Sequence, residues 1–158
     1  MARKLNPSGL IGQKNYLFQI SDKNIKDKVL DSFEATSKKY KLPVKITREV
    51  YKSGGLMSGS KDTLMTVEGG FTPFIVIGCT TYGDFLSVNI YFLVEDNLLN
   101  KFTNGFSGGG LDKLAYLNKD MISIRDQNSF WNATVACLED SFMTLKFNEF
   151  KSGFLGIE

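Results

Sequence analysis

The groups available for chemistry are carboxylates, lysines, tyrosines and two thiols, because none of the 158 residues is a histidine. Imidazole titrates nearest neutrality and is the commonest metal ligand. Its absence excludes Ser-His-Asp and Cys-His catalysis, His-ligated zinc and His-based pH switching. Cys79 and Cys137 do not form a CxxC pair, so they suggest neither a redox couple nor a metal site. Cys79 ends the apolar run Phe74 to Gly78 and Cys137 falls in a helical pattern, so both are expected to be small buried hydrophobes with unreactive thiols. Glu139 and Asp140 are adjacent in the same helical pattern, where neighbours diverge by about 100° and cannot jointly flank one bond. Asp22, Asp96 and Asp126 stand where helices are expected to start, and capping accounts for them.

Two glycine-rich stretches invite comparison with phosphate loops. In Gly54 to Lys61 two glycines, Gly54 and Gly59, are separated by four residues, but the next residues are Ser60-Lys61 and not Lys-Ser/Thr, and a strand pattern follows. A phosphate loop needs the lysine to reach the β/γ-phosphates and must open a helix. Neither condition is met, so the stretch reads as a hairpin loop. Gly105 to Gly110 reads as a linker for the same reason. Aromatic residues make up 13% of the chain but sit at core-facing periods, not interleaved with bases as an RNA-stacking surface requires.

The net charge of +2 conceals an asymmetry: residues 1 to 52 hold 12 basic and 5 acidic residues, the remainder 7 and 12. Opposed halves suggest a basic surface for an acidic partner, or self-complementarity within the fold. Lys23/Asp27 and Glu34/Lys38 are i,i+4 pairs that neutralise the first helix locally. The run Lys38, Lys39, Lys41, Lys45, Arg48, Lys52, opposed by Glu49 alone, is the candidate anion-facing patch, with Lys38, Lys39, Lys41, Lys45 and Lys52 as its lysines.

These groups must be positioned by elements that the periodicity predicts. Tyr16 to Ile20 is a short strand or extended lead-in, and Asp22 to Lys41 is a helix capped by Ser21 or Asp22 and ended by Pro43. Its apolar face is Ile25, Val29, Phe33, Thr36 and Tyr40. Strands follow at Val44 to Val50, Thr63 to Glu68, Phe74 to Thr80 and Leu86 to Val94, joined by turns too short for crossover helices, hence antiparallel. A short helix from Asp96 includes Leu98, Leu99 and Phe102. Lys113 to Leu117 and Met121 to Arg125 predict a second hairpin. A last helix, capped by Asp126 or Asn128, carries Trp131, Val135, Leu138, Phe142 and Leu145 on one stripe.

A composition of 42% hydrophobic and 23% charged residues suits one soluble domain over 1–158, large enough to need neither metal nor disulfides. Residues 1–15 are expected to be a flexible lead-in and 148–158 an apolar tail, in which Phe150, Phe154 and Leu155 are candidate partner contacts. No secretory signal or membrane span is read, which points to the cytoplasm. The expected fold is α+β: a mostly antiparallel sheet with an N-terminal helix, a short middle helix and a long C-terminal helix packed on it.

Leu98-Leu99-Asn100-Lys101-Phe102, then Ala115 to Ile124 with Tyr116-Leu117-Asn118, then the helix around Trp131 to Phe147, resemble the YbjN-like and type III secretion chaperone-like fold. The glycine insertion at Gly105 to Gly110 and the mild basicity depart from that pattern. The resemblance implies a non-catalytic protein that binds another polypeptide, often as a homodimer. The expectation is therefore a chaperone-like, adaptor or inhibitor module, not an enzyme, with no cofactor, a protein partner and no membrane. The alternative is a nucleic-acid or other polyanion binder acting through residues 38–52.

Overall fold

A computed structural model describes residues 3–22, 24–53, 60–95 and 120–147. The chain is α+β, with strands β1 (Arg3–Lys4), β2 (Leu10–Gln19), β3 (Lys45–Ser53), β4 (Ser60–Glu68), β5 (Phe74–Tyr82) and β6 (Phe85–Leu93). Helix α1 spans Ile25–Lys39 and α2 spans Met121–Thr144. The strands lie in the order β1-β3-β4-β5-β6-β2. Every neighbouring pair is antiparallel except β1, which runs parallel to β3 at Tyr51 and Lys52. Antiparallel pairing follows from the short connections, such as the two-residue turn between β5 and β6, where Gly83 takes φ +58°.

Both helices cover one face of the sheet. The stripe Ile25, Val29, Phe33 of α1 and Phe130, Leu138, Phe142 of α2 close over Val67, Ile75, Ile77, Val88 and Ile90 in one core cluster. Strand β5 is central, and its residues Phe74 to Cys79 are all buried, so it reads as a continuous apolar run. Strand β6 alternates, burying Leu86, Val88, Ile90 and Phe92 toward the helices. The second face carries a smaller cluster of Tyr51, Phe74, Val76 and Leu93.

Both helices end alike. In α1 the Leu42 N–H donates to the Ser37 carbonyl and the Lys41 N–H to that of Lys38; in α2 Phe147 donates to Phe142 and Lys146 to Met143. These are Schellman ends, with Lys41 at φ 54° and Lys146 at φ 57° in the left-handed position that glycine usually fills. Leu42 and Phe147, one residue on, both pack against the core.

Three expectations are corrected. The chain does not open on a helix or a flexible lead-in: residues from Leu10 onward are strand, and α1 follows β2. The bulge between Leu10 and Gly12 turns Ile11 as well as Tyr16 and Phe18 toward the core. Ile11 and Tyr16, both inward and five apart, break the period of two and hide the first half of the strand, whose second half is the one expected from Tyr16. Met121 to Arg125 is not a hairpin arm but the first turn of α2. Asp120 caps it, accepting from the Ser123 N–H and hydroxyl, each at 2.8 Å. Met121 and Ile122 are 77% and 63% exposed, so their apolar character marked no sheet face. Asp126 consequently lies inside the helix, paired with Arg125 at 2.9 Å. Asp22 does not cap α1: Asn24 holds that position, and Asp22 accepts from the Asn24 N–H at 2.9 Å and Lys28 Nζ at 2.6 Å. The expected middle helix, the arm Lys113 to Leu117 and the tail with Phe150, Phe154 and Leu155 lie outside the described residues.

Candidate functional site

The structure does not gather the five lysines on one surface. Lys38 pairs with Glu34 at 3.9 Å, and Lys39 lies 3.8 Å from Asp140 and over the Tyr40 ring. Lys41 forms the end of α1. Lys45 and Lys52 are seven positions apart in β3, so they project from opposite faces of the sheet and stand about 23 Å apart along it. Arg48, in the same run, faces the helices and is neutralised by Asp31 and by Glu34, the latter at 3.8 Å. Lys38 and Arg48 are thus neutralised within the basic third itself, and two acids of the other part of the chain meet its lysines, Glu139 at Lys14 and Asp140 at Lys39.

Lys14 Nζ donates to Glu139 Oε1 at 2.6 Å and the Tyr16 hydroxyl donates to the same oxygen at 2.7 Å. The Tyr40 hydroxyl donates to Asp140 Oδ2 at 3.2 Å. As the helical repeat requires, the adjacent carboxylates diverge, one to β2 and the other to α1. Partial burial would raise the Glu139 pKa, but the hydrogen bonds from Lys14 and Tyr16 outweigh it and hold the carboxyl below its ordinary value. Such a group is a tie between elements and is poorly suited to accept a proton near neutrality. The thiols are equally unsuited: Cys79 and Cys137 are buried, and desolvation pushes Cys79 up to about 12 and raises Cys137.

Two cavities open among the described residues. One, of about 400 Å³, lies on the second face of the sheet, walled by Leu5, Leu10, Leu64, Tyr91 and Leu93 and rimmed by Gln13, Asn89 and Asp62. Gly78 helps to keep it open, since a Cβ there would come within 2.9 Å of Leu64. The other, of about 340 Å³, lies between α2 and the α1–β3 connection, lined by Leu42, Pro43, Val44, Phe130 and Thr134. Each cavity has one carboxylate, Asp62 or Asp126, and in the second the Ser129 and Thr134 hydroxyls donate to the Arg125 and Phe130 carbonyls of their own helix. Among the described residues no group of three or more Cys, Asp or Glu could hold a metal, and no helix is long and apolar enough to cross a membrane.

The sheet's two edges differ. At one, β3 is partly covered by β1; at the other stands β2, ten residues long. The Ile20 N–H donates to the Asp84 carbonyl at 2.8 Å, in the register that pairs Gln19 with Phe85. Hydrogen-bonded pairs alternate along an antiparallel ladder, so the even residues Lys14, Tyr16 and Phe18 bond to β6. The odd residues Gln13, Asn15, Leu17 and Gln19 turn their N–H and C=O groups outward, off the sheet. No described strand takes them up. Of this edge the sequence announces only the half from Tyr16, read as a short strand or extended lead-in; the bulge hid the part before it.

No family model matches the chain, and neither a curated protein nor a solved structure does.

Proposed function

We propose that the chain is a cytoplasmic protein that works by contact with another protein and not by catalysis, and that the contact is made along the outer edge of β2. An extended partner segment laid there becomes an added strand, its backbone satisfying the groups of Gln13, Asn15, Leu17 and Gln19. The observation that carries this reading is the length of that edge and its low charge. Lys14 is the one formal charge in β2, and Glu139 already neutralises it. Edges that avoid partners are short, carry charges or contain proline. A chaperone, adaptor or inhibitor would use such an edge.

Asn15→Pro tests this. Proline removes the outward N–H and leaves the even-numbered ladder to β6 intact, so the fold is expected to survive, checked by circular dichroism. Used as bait in its native cell, the full chain should hold a stoichiometric protein that the variant loses. Retention unchanged by the variant but falling steeply with salt would identify a polyanion contact instead. A turnover in a substrate screen, with no protein retained, would replace binding by catalysis.

A further inference from the structure

We propose that the cavity of about 400 Å³ on the second face of the sheet is a ligand site, and that it takes a small organic cation, an amine carried on an apolar body. Strands β1 and β2 stand at opposite edges of the sheet, and Leu5, between them in sequence, packs against the cluster of Tyr51, Phe74, Val76 and Leu93. The connection therefore crosses this face and walls the cavity. It is fastened as it reaches β2, where the Asn6 carboxamide oxygen accepts from the Ser8 N–H at 3.1 Å and the Gly9 carbonyl from the Val94 N–H at 3.0 Å.

The sheet beneath is adapted to leave room. Strands β4 and β5 are laddered over Met65, Thr66 and Val67 only, and just beyond that ladder lie Leu64 and Gly78. Gly78 takes no left-handed φ, so its backbone conformation admits other residues; space is what excludes them. A glycine inside a central strand weakens that strand and marks a place of close approach. Here a Cβ would strike Leu64 at 2.9 Å, and the same missing side chain leaves the cavity its floor.

The polar groups around the cavity are not engaged in holding the fold. Among the described residues the Gln13, Asp62 and Thr80 side chains make no hydrogen bond or ion pair, and Asn89 meets only the Ser87 hydroxyl of its own strand, at 3.4 Å. They are also ordered along the sheet. Gly78 stands beside Asn89, and Tyr91 and Leu93 follow along β6 toward Leu10, while Thr80 lies past Gly78 in the opposite direction. The cavity thus passes from a hydroxyl and a carboxylate to an aromatic and aliphatic wall. Asp62 is the one formal charge among the described lining residues, so the complement is a single positive charge at one end of an apolar body. Its ammonium donates to the Asp62 carboxylate, and its body lies on Tyr91 and Leu93. A lone carboxylate supplies too few oxygens for a metal ion.

Amide-resolved NMR titration of the full chain with 4-phenylbutylamine and with 4-phenylbutanol compares two probes that share a body and differ in charge. Both should shift the amides of Leu64, Gly78 and Asn89, and the amine should bind about fivefold tighter. Asp62→Asn should bring the amine down to the affinity of the alcohol. Asp62 is exposed and unpaired, so the fold should survive, checked by circular dichroism. Thr80→Phe, also at an exposed position, sets a ring at the polar end of the cavity and should weaken both probes. No shift at these amides, equal affinity of the two probes, an amine preference that outlives Asp62→Asn, or binding indifferent to Thr80→Phe would each overturn the proposal. The contact edge of β2 is judged separately, by the protein that Asn15→Pro loses or keeps.

Discussion

Helix α2 has two flanks built on opposite principles. Toward β2 and β6 it presents rings: Phe142 lies 4.9 Å from Tyr16 and 4.6 Å from Phe18, and Trp131 stacks on Phe92. Toward α1 it presents small residues, among them Cys137 and Ser141, facing Thr36 and Ser37, all of them buried. There the Ser141 and Thr36 hydroxyls lie 3.2 Å apart and Ser141 also reaches the Cys137 carbonyl at 2.8 Å. The ring flank is held by buried area and shape. The small flank is held by close approach of two backbones, with each hydroxyl satisfied locally so that burying it carries little penalty. The same helix therefore tolerates loss of volume on one side and gain of volume on neither.

The largest effect should come from the ring flank. Phe142→Ala removes a ring that is 6% exposed and touches three other aromatic side chains, and it should cost about 3–5 kcal/mol in chemical denaturation. On the small flank the damaging change is the reverse. Ser141→Val adds volume where the serine has no exposure, and removes the hydroxyl that Thr36 meets; it should cost about 1–3 kcal/mol. If Ser141→Val were neutral, the two helices would be loosely apposed and the contrast between the flanks would fail.

The two flanks also differed in how legibly the sequence announced them. Trp131, Val135, Leu138, Phe142 and Leu145 recur at helical spacing, and that stripe does pack on the sheet. Thr36, Ser37, Thr134 and Ser141 are polar by type, and only Thr36 fell on the apolar face read from the wheel; burial of the others depends on a second helix that no local pattern reveals. The four strands β3 to β6 were legible because their turns and alternation are local. The edge β2 was legible only from Tyr16 onward, because the bulge between Leu10 and Gly12 shifts the alternation of its first half. The start of α2 was missed for a related reason: Met121 and Ile122 look like core residues and are exposed, while Asp120, the residue that starts the helix, is an ordinary turn former. The lysine patch was legible as charge and, apart from the local pair Glu34/Lys38, illegible as geometry, since Asp31 meets Arg48 and Asp140 meets Lys39 only through tertiary placement of the helices.

A smaller effect separates the flanks by charge. Glu139 ties α2 to β2 through Lys14 and Tyr16, and its folded pKa lies below the ordinary glutamate value because those hydrogen bonds outweigh the upward push of burial. A carboxyl whose pKa is depressed by folding binds its proton more readily in the unfolded chain. It therefore contributes stability above the unfolded value, about pH 4.3, and loses it as pH falls through the depressed one. Lys14 and Glu139 are 49% and 44% exposed, so solvent screening keeps the contribution under about 1 kcal/mol. Denaturation of the wild type and of Glu139→Gln should accordingly differ at pH 7 and converge as the solution is acidified below about pH 4. Asp140→Asn, on the α1 side, breaks longer contacts of 3.2 and 3.8 Å and should cost less at pH 7 than Glu139→Gln does. A difference between wild type and Glu139→Gln that held constant down to pH 3 would mean that the carboxylate acts by shape alone, and α2 would then be fastened to β2 by its rings without help from charge.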